Sequence, residues 1–243
     1  MSNLQLKTIK MVALDIDGVL LEDTFSPVIC HMVENVWGGE YTKEIERNVF
    51  SQKREIGGTF LMEKFNLFNR YKTWKELFSE GYFPARDEYL KRTDVPKGKV
   101  KGFEEFLKTV KKLGLKLVSY GGLEKDHFFA SLTEHEQSYF DDEKYICTND
   151  FRPGVEEIIK HFYNYDYKEV LFIDDIARVG EVAKAKGVPF IGIPSHFPKS
   201  FQREAMIEIG VKHIYNSIND VKEEILRLID DEANTGTLWS GKK

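Results

Sequence analysis

Cysteine is scarce in this chain. Only Cys30 and Cys147 occur, far apart and outside any CxxC pair. That excludes a disulfide framework and a cysteine-built zinc site, and suits reduced thiols in the cytoplasm. Long apolar runs are lacking too. None approaches the roughly 20 residues of a membrane span, and the opening MSNLQLKTIK has no apolar stretch of a secretory signal. A cytoplasmic protein with no membrane partner is expected. Positive charge is not in excess: the net charge is −5, which gives no reason to expect nucleic-acid binding. One local exception is residues 91–116, with nine Lys/Arg against three Asp/Glu. It reads as a solvated helix face or as a basic rim that attracts anions. Several catalytic signatures are missing as well. The six histidines form no HExxH pattern, and there is no GxSxG elbow, GxxxxGK[ST] loop or GxGxxG after a strand. Internal repeats and low-complexity tracts are also absent.

What is present is an alternation. The 243 residues, 42% hydrophobic and 31% charged, suffice for one large α/β domain or a core domain with an insert. Short apolar runs at Met11–Leu14, Leu115–Ser119, Tyr145–Cys147, Val170–Ile173, Phe190–Ile193 and, weakly, Val211–Ile214 are separated by helical patterns. This predicts βαβ units and a parallel sheet. Phe103, Phe106, Leu107 and Val110 share one helical face. Val155, Ile158, Ile159 and Phe162 form a second, and Val179, Val182 and Ala183 a third. Val221, Ile225, Leu226 and Leu228 mark a last helix. The final residues, 234–243, read as a frayed tail.

The alternation fails between Leu20 and Val100. Aromatic, helix-like stretches such as Phe60–Phe68 and Trp74–Phe78 fill that interval, punctuated by Gly38-Gly39, Gly57-Gly58 and Pro84. A connection this long is not a structureless loop. The expected organisation is a core of residues 1–20 and 97–233 with a small helical domain over 21–96, placed to close over the site as a lid.

The chemistry gathers at predicted strand ends. Asp15-Ile16-Asp17-Gly18-Val19 follows the first apolar run, so Asp15 and Asp17 can face one substrate while Ile16 turns into the core. Converging carboxylates repel unless a cation or shared proton intervenes; the spacing asks for a divalent metal, an acid/base role, or both. Asp174-Asp175 follows the Val170–Ile173 run and fits a hard cation such as Mg²⁺, although Asp also starts helices. Ser119 precedes Tyr120, Gly121 and Gly122, where a hydroxyl and backbone N–H groups can meet an anion; such a segment equally makes a simple turn. Arg152 before Pro153 offers a fixed cation or an ordinary helix-start arginine.

The ordered set DIDGVL, LVSYGG, a cation before Pro, and FIDD followed by a helix ending in Gly187 resembles the haloacid dehalogenase-like hydrolase superfamily. The resemblance covers roughly residues 10–20 and 100–230. It implies a doubly wound parallel α/β sheet of the haloacid dehalogenase-like Rossmannoid type, strand order 5-4-1-2-3, with an inserted, mainly helical type-1 cap domain. It implies that Asp15 is the nucleophile and Asp17 the acid and base. Mg²⁺ would be held by the Asp15 carboxylate, the Asp17 backbone carbonyl and Asp175, with Asp174 as a supporting or substitute ligand. Ser119, beside Tyr120 and Gly121, would bind phosphoryl oxygens together with Arg152. Two departures stand out. The family usually carries Lys where Arg152 falls, with Lys125 and Lys160 as alternatives for that cation. The second acid or Asn expected four or five residues past the metal-binding Asp is replaced by Val179 and Gly180.

The resulting expectation is a Mg²⁺-dependent phosphatase acting on a small phosphorylated metabolite, as monomer or homodimer. Asp17 motivates it, since family members that act on carbon–halogen bonds lack that acid. A phosphomutase or other phosphotransferase on the same scaffold, or a phosphate-binding regulatory protein without turnover, are the alternatives. Specificity is expected from the insert, with Arg47, Lys53 and Arg54 as candidate contacts to a second acidic group or, equally, as a solvated helix face.

Overall fold

In a computed structural model, which describes residues 5–141 and 143–239, the six apolar runs become one sheet. Its strands are Met11–Asp15 (β1), Lys116–Gly121 (β2), Tyr145–Cys147 (β3), Val170–Asp174 (β4), Phe190–Gly192 (β5) and His213–Ile214 (β6). They lie in the order β3-β2-β1-β4-β5-β6, and every pairing is parallel. The order 5-4-1-2-3 is therefore present with β6 added outside β5. The chain winds outward from β1 through β2 to β3, then returns to the other side of β1 for β4. The crevice between the carboxyl ends of β1 and β4 is the switch point where open α/β sheets take ligands.

Side-chain alternation along the strands builds a core on each face. Val12, Leu14, Leu117, Leu171 and Ile173 join one cluster with Phe103, Phe106, Leu107 and Val110. The last four come from Phe103–Lys112, whose apolar residues recur at helical spacing. Its first turn carries Glu104 and Glu105 and its last Lys111 and Lys112, which complements the helix dipole. Met11, Ala13, Val118, Tyr120, Val170 and Phe172 face the other way, against Val155, Ile158, Ile159, Val179 and Ala183. The sheet is doubly wound.

In chain order the helices are Phe25–His31 (α1), Lys43–Val49 (α2), Arg54–Lys64 (α3), Trp74–Glu76 (α4), Phe83–Lys91 (α5), Phe103–Lys112 (α6), Lys125–Ser131 (α7), Glu134–Gln137 (α8), Ala177–Lys186 (α9), Gln202–Ile209 (α10) and Glu223–Thr235 (α11). The first five, with π-helical turns at Met32–Val36 and Leu77–Tyr82, make a helical insert with its own apolar cluster, including Ile29, Met32, Ile45, Leu61, Leu77 and Phe78. The chain leaves the sheet and returns to it side by side. Leu21 pairs antiparallel with Lys99, Glu22 N donates to Gly98 O at 2.8 Å, and Val100 N donates to Leu20 O at 2.9 Å. None of the described helices is long and apolar enough to cross a membrane.

Three expectations need correcting. Phe162 is exposed, because a π-helical turn over Glu157–Phe162 rotates it off the face shared by Ile158 and Ile159. The last helix begins at Glu223 and holds Ile225, Leu226 and Leu228, so Val221, expected to mark it, lies before its start. Residues 234–239 are not frayed, since α11 runs to Thr235 and Trp239 stacks on Phe190 with centroids 6.1 Å apart. Residues 240–243 of that expected tail lie outside the described residues.

Candidate active site

Asp15 closes β1 with its carboxylate on the crevice. Gly18 then turns the chain away at φ +93°, a conformation that L side chains resist. Its missing Cβ also makes room, because a Cβ there would stand 2.4 Å from Asp175 Oδ2. Asp17 and Asp175 therefore reach the same cleft as Asp15 and Asp174. That cleft, about 890 Å³ with its open mouth, is lined by these four aspartates and Arg152 on the sheet side. Phe25, Val49, Phe50, Arg54, Phe78, Tyr82 and Arg86 line it on the insert side.

Electrostatics sets these carboxylates apart. Burial, then the neighbouring Asp174, pushes the Asp15 carboxyl well above the ordinary carboxylate range, with Arg152 opposing. Asp175 is pushed well up by burial, then by Asp174 and Asp15. Asp174 rises only to about 6, burial being offset by hydrogen bonds. Tyr120 Oη donates to its Oδ2 at 2.5 Å, and Ile176 N donates to Oδ1 at 2.7 Å. On the sheet side Arg152 is the guanidinium set against these buried carboxyls, so ionising them together calls for further positive charge. All the donors are oxygen, so the set suits a hard divalent cation. Among the described residues no three Asp, Glu, His or Cys side chains form a metal cage. A Mg²⁺ ion held by one or two carboxylates, a carbonyl, waters and substrate needs none.

The site residues expected from sequence divide. Asp15, Asp17, Asp174, Asp175, Arg152 and Arg54 line the cleft. Arg152 Nη1 donates to Ser51 Oγ at 3.3 Å. The alternative cations are engaged elsewhere: Lys125 with Glu143 at 2.6 Å, and Lys160 with Tyr165 O at 2.6 Å. Ser119 is not in the cleft. It pairs with Leu14, is fully buried and donates from Oγ to Leu14 O at 3.0 Å. The strand runs two residues beyond it, so the sheet edge falls at Gly121. Tyr120, opposite Asp15, is also fully buried and spends its hydroxyl on Asp174. Gly121 abuts Asp15: a Cβ there would lie 3.4 Å from Oδ1. Gly122 lines the cleft instead. On the insert, Arg47 is exposed and paired to Glu181 at 3.0 Å, and Lys53 is exposed; neither lines the cleft.

His127 was not legible beforehand. It stands on α7 with Nε2 3.0 Å from Asp17 Oδ1, the atom pair through which the ring can hold this carboxylate. A lone histidine on a short helix has no pattern to betray it. Arg86, from α5, and Asn149 also line the cleft without a sequence signal.

No family model and no curated protein matches the sequence. Solved structures do match. A phosphonoacetaldehyde hydrolase-like protein from Oleispira antarctica is 14% identical at TM-score 0.66, with 96% of each chain covered. A β-phosphoglucomutase from Clostridium difficile is 15% identical at TM-score 0.60, covering 93% of this chain and 99% of its own. A haloacid dehalogenase (HAD) family hydrolase from Deinococcus radiodurans R1, with bound phosphate and sodium, is 16% identical at TM-score 0.56, covering 93% and 97%. Sheet order, the aspartates at the β1 and β4 edges and these likenesses agree: the chain has the haloacid dehalogenase-like hydrolase fold.

Proposed function

We propose that the protein is a phosphoryl-transfer enzyme, specifically a Mg²⁺-dependent phosphatase acting on a small phosphomonoester. The observation that carries this reading is that Asp15 and Asp17 face one cleft together with Arg152. The names of the similar structures, a phosphoglucomutase and hydrolases among them, support the reaction class.

Asp15 would attack phosphorus in line and form an aspartyl-phosphate, while the P–O bond to the leaving group breaks. Asp17 would give its proton to the departing oxygen. It would then take a proton from a water that attacks the same phosphorus, releasing inorganic phosphate and restoring the Asp15 carboxylate. Arg152 would offset charge on the equatorial oxygens, and Gly122, with no side chain at the strand end, leaves its guanidinium room. The Asp15 and Asp175 carboxylates and the Asp17 carbonyl would hold Mg²⁺, which supplies positive charge to the transferring group.

The insert bears on hydrolysis against transfer. Arg54 Nη2 donates to Gly122 O at 2.6 Å, while Arg152 of the core reaches Ser51 of the insert. These crossed contacts tie the insert to the core beside the cleft, and an insert held down in this way suits a phosphomutase, which must keep water out. Product analysis separates the two readings: phosphate release means hydrolysis, and transfer to an added sugar phosphate means mutase chemistry. Phosphate released from p-nitrophenyl phosphate with Mg²⁺ is expected to vanish in Asp15→Asn. Activity surviving that change overturns the mechanism.

A further inference from the structure

The insert wall of the cleft carries two cations without acidic partners. Arg54 and Arg86 are half-buried, and among the described residues no carboxylate lies within ion-pair distance of either. Their held contacts are few. Arg54 gives one hydrogen bond to Gly122 O and packs between Phe78 and Phe83, 5.8 and 5.5 Å from the ring centroids. Arg86 Nε donates to Thr24 Oγ1 at 3.4 Å. A guanidinium has five N–H donors, so each keeps most of its fork for something in the cleft. The one acid on this wall, Asp23, is otherwise engaged. Its Oδ1 accepts from Phe25 N and Ser26 N at 2.9 and 3.0 Å, and its Oδ2 accepts from Ser195 Oγ at 2.5 Å. Aromatic rings, Phe25, Phe50, Phe78 and Tyr82, line the same cleft. Phe25 packs edge-on against Phe50 at 4.9 Å and Tyr82 at 5.2 Å.

Half-buried cations lining a cleft ask for an anion, and planar forks favour a carboxylate or phosphate taken bidentately. We propose that the substrate is anionic at both ends: a phosphomonoester on an apolar, aromatic-sized body that ends in a second acidic group bound by Arg86 and Arg54. This rests on the phosphatase reading for which end reacts. It adds the chemistry of the leaving group and places Arg86 in its recognition.

Three aryl phosphates test it: phenyl phosphate and its para-carboxymethyl and para-aminomethyl derivatives. In the wild type with Mg²⁺, kcat/KM is expected to favour the carboxylate over the neutral ester by about tenfold and to rank the ammonium ester last. Arg86→Gln should collapse the ratio between carboxylate and neutral ester, and Arg86→Lys should keep part of it. A wild-type ratio near one, or a ratio unchanged in Arg86→Gln, overturns the inference while leaving the phosphatase reading intact. If none of the three esters releases phosphate, that reading fails. The subsite is then judged by thermal stabilisation with benzylphosphonate and its para-carboxy analogue. Extra stabilisation by the carboxy analogue, lost in Arg86→Gln, supports the subsite; equal stabilisation by both probes overturns it.

Discussion

His127 holds the carboxylate of Asp17 through Nε2 and Oδ1 at 3.0 Å. With hydrogen on Nε2 the ring donates, and the carboxylate keeps its other oxygen for the cleft. Removing the ring leaves the acid in place but free to rotate. His127→Ala is therefore expected to lower kcat by about tenfold, less than loss of an acid itself costs, with KM little changed. Steady-state kinetics on p-nitrophenyl phosphate checks it; an unaltered kcat would show that Asp17 needs no such support. Glu46 is the second residue with a measurable consequence. Burial lifts its carboxyl above the ordinary 4.5 against three hydrogen bonds that pull it down, the largest from Tyr41. The folded chain thus keeps a proton that the unfolded chain has lost. By linkage this contribution is full below 4.5 and is lost as pH rises through the raised folded value. Glu46→Gln cannot titrate, so wild-type stability relative to this variant should fall as pH rises above 4.5 and through the raised folded value. Urea denaturation across that range checks it, and a flat difference refutes it. Of the residues in the cleft, the aspartates were legible because alternation places them at strand ends. His127 and Arg86 were not, because a single polar residue on a helix carries no period.

At the scale of elements, the turn after β1 and the end of β2 decide the site. Two glycines make opposite predictions. Gly18→Ala demands a side chain at φ +93° and drives its Cβ to 2.4 Å from Asp175 Oδ2, so both backbone and carboxylate must shift. A cost of about 1–3 kcal/mol is expected, together with loss of Mg²⁺-dependent activity. In Gly122→Ala the Cβ would meet Arg152 Nη2 at 1.8 Å, the far end of a flexible side chain that can swing aside. Stability should then hold while kcat/KM falls. Paired denaturation curves and kinetics check both; equal stability loss in the two variants would contradict the distinction. The end of β2 is also where sequence reading slipped. Leu115–Ser119 ends at the last aliphatic residues, but Tyr120 and Gly121 continue the ladder opposite Ile146 and Cys147. A fully buried parallel strand has no polar face to mark its end, so the sequence puts the sheet edge at Ser119, two residues short of Gly121. The insert posed the reverse problem. Its helices were legible as a break in alternation, but not which arginines face the cleft, because packing against Phe78 and Phe83 sets that.

Across the whole molecule, the helical insert sits on the core through two kinds of contact. Surface ion pairs ring the seam: Lys43 with Glu204 and Glu208, Arg47 with Glu181, and Lys199 with Glu34. They are exposed, screened by salt and weak. Beneath them lies a buried tie. Glu46 on α2 accepts from Gln202 Nε2 at 2.7 Å and from Phe201 N at 3.0 Å in the core, and from Tyr41 Oη at 2.7 Å within the insert. Deleting that carboxylate leaves three buried donors without an acceptor, and such groups are costly. Glu46→Ala should destabilise by about 1–3 kcal/mol and loosen the insert from the sheet. Lys43→Ala should leave the denaturation midpoint close to wild type. Small-angle scattering supplies a second readout. The radius of gyration should grow in Glu46→Ala and shrink again when an anion occupying both ends of the cleft draws Arg54 and Arg152 together. It should stay constant in Lys43→Ala, even at high salt. If both variants, or salt alone, open the molecule equally, the seam is held by its surface charges, and the tie through Glu46 does not govern closure.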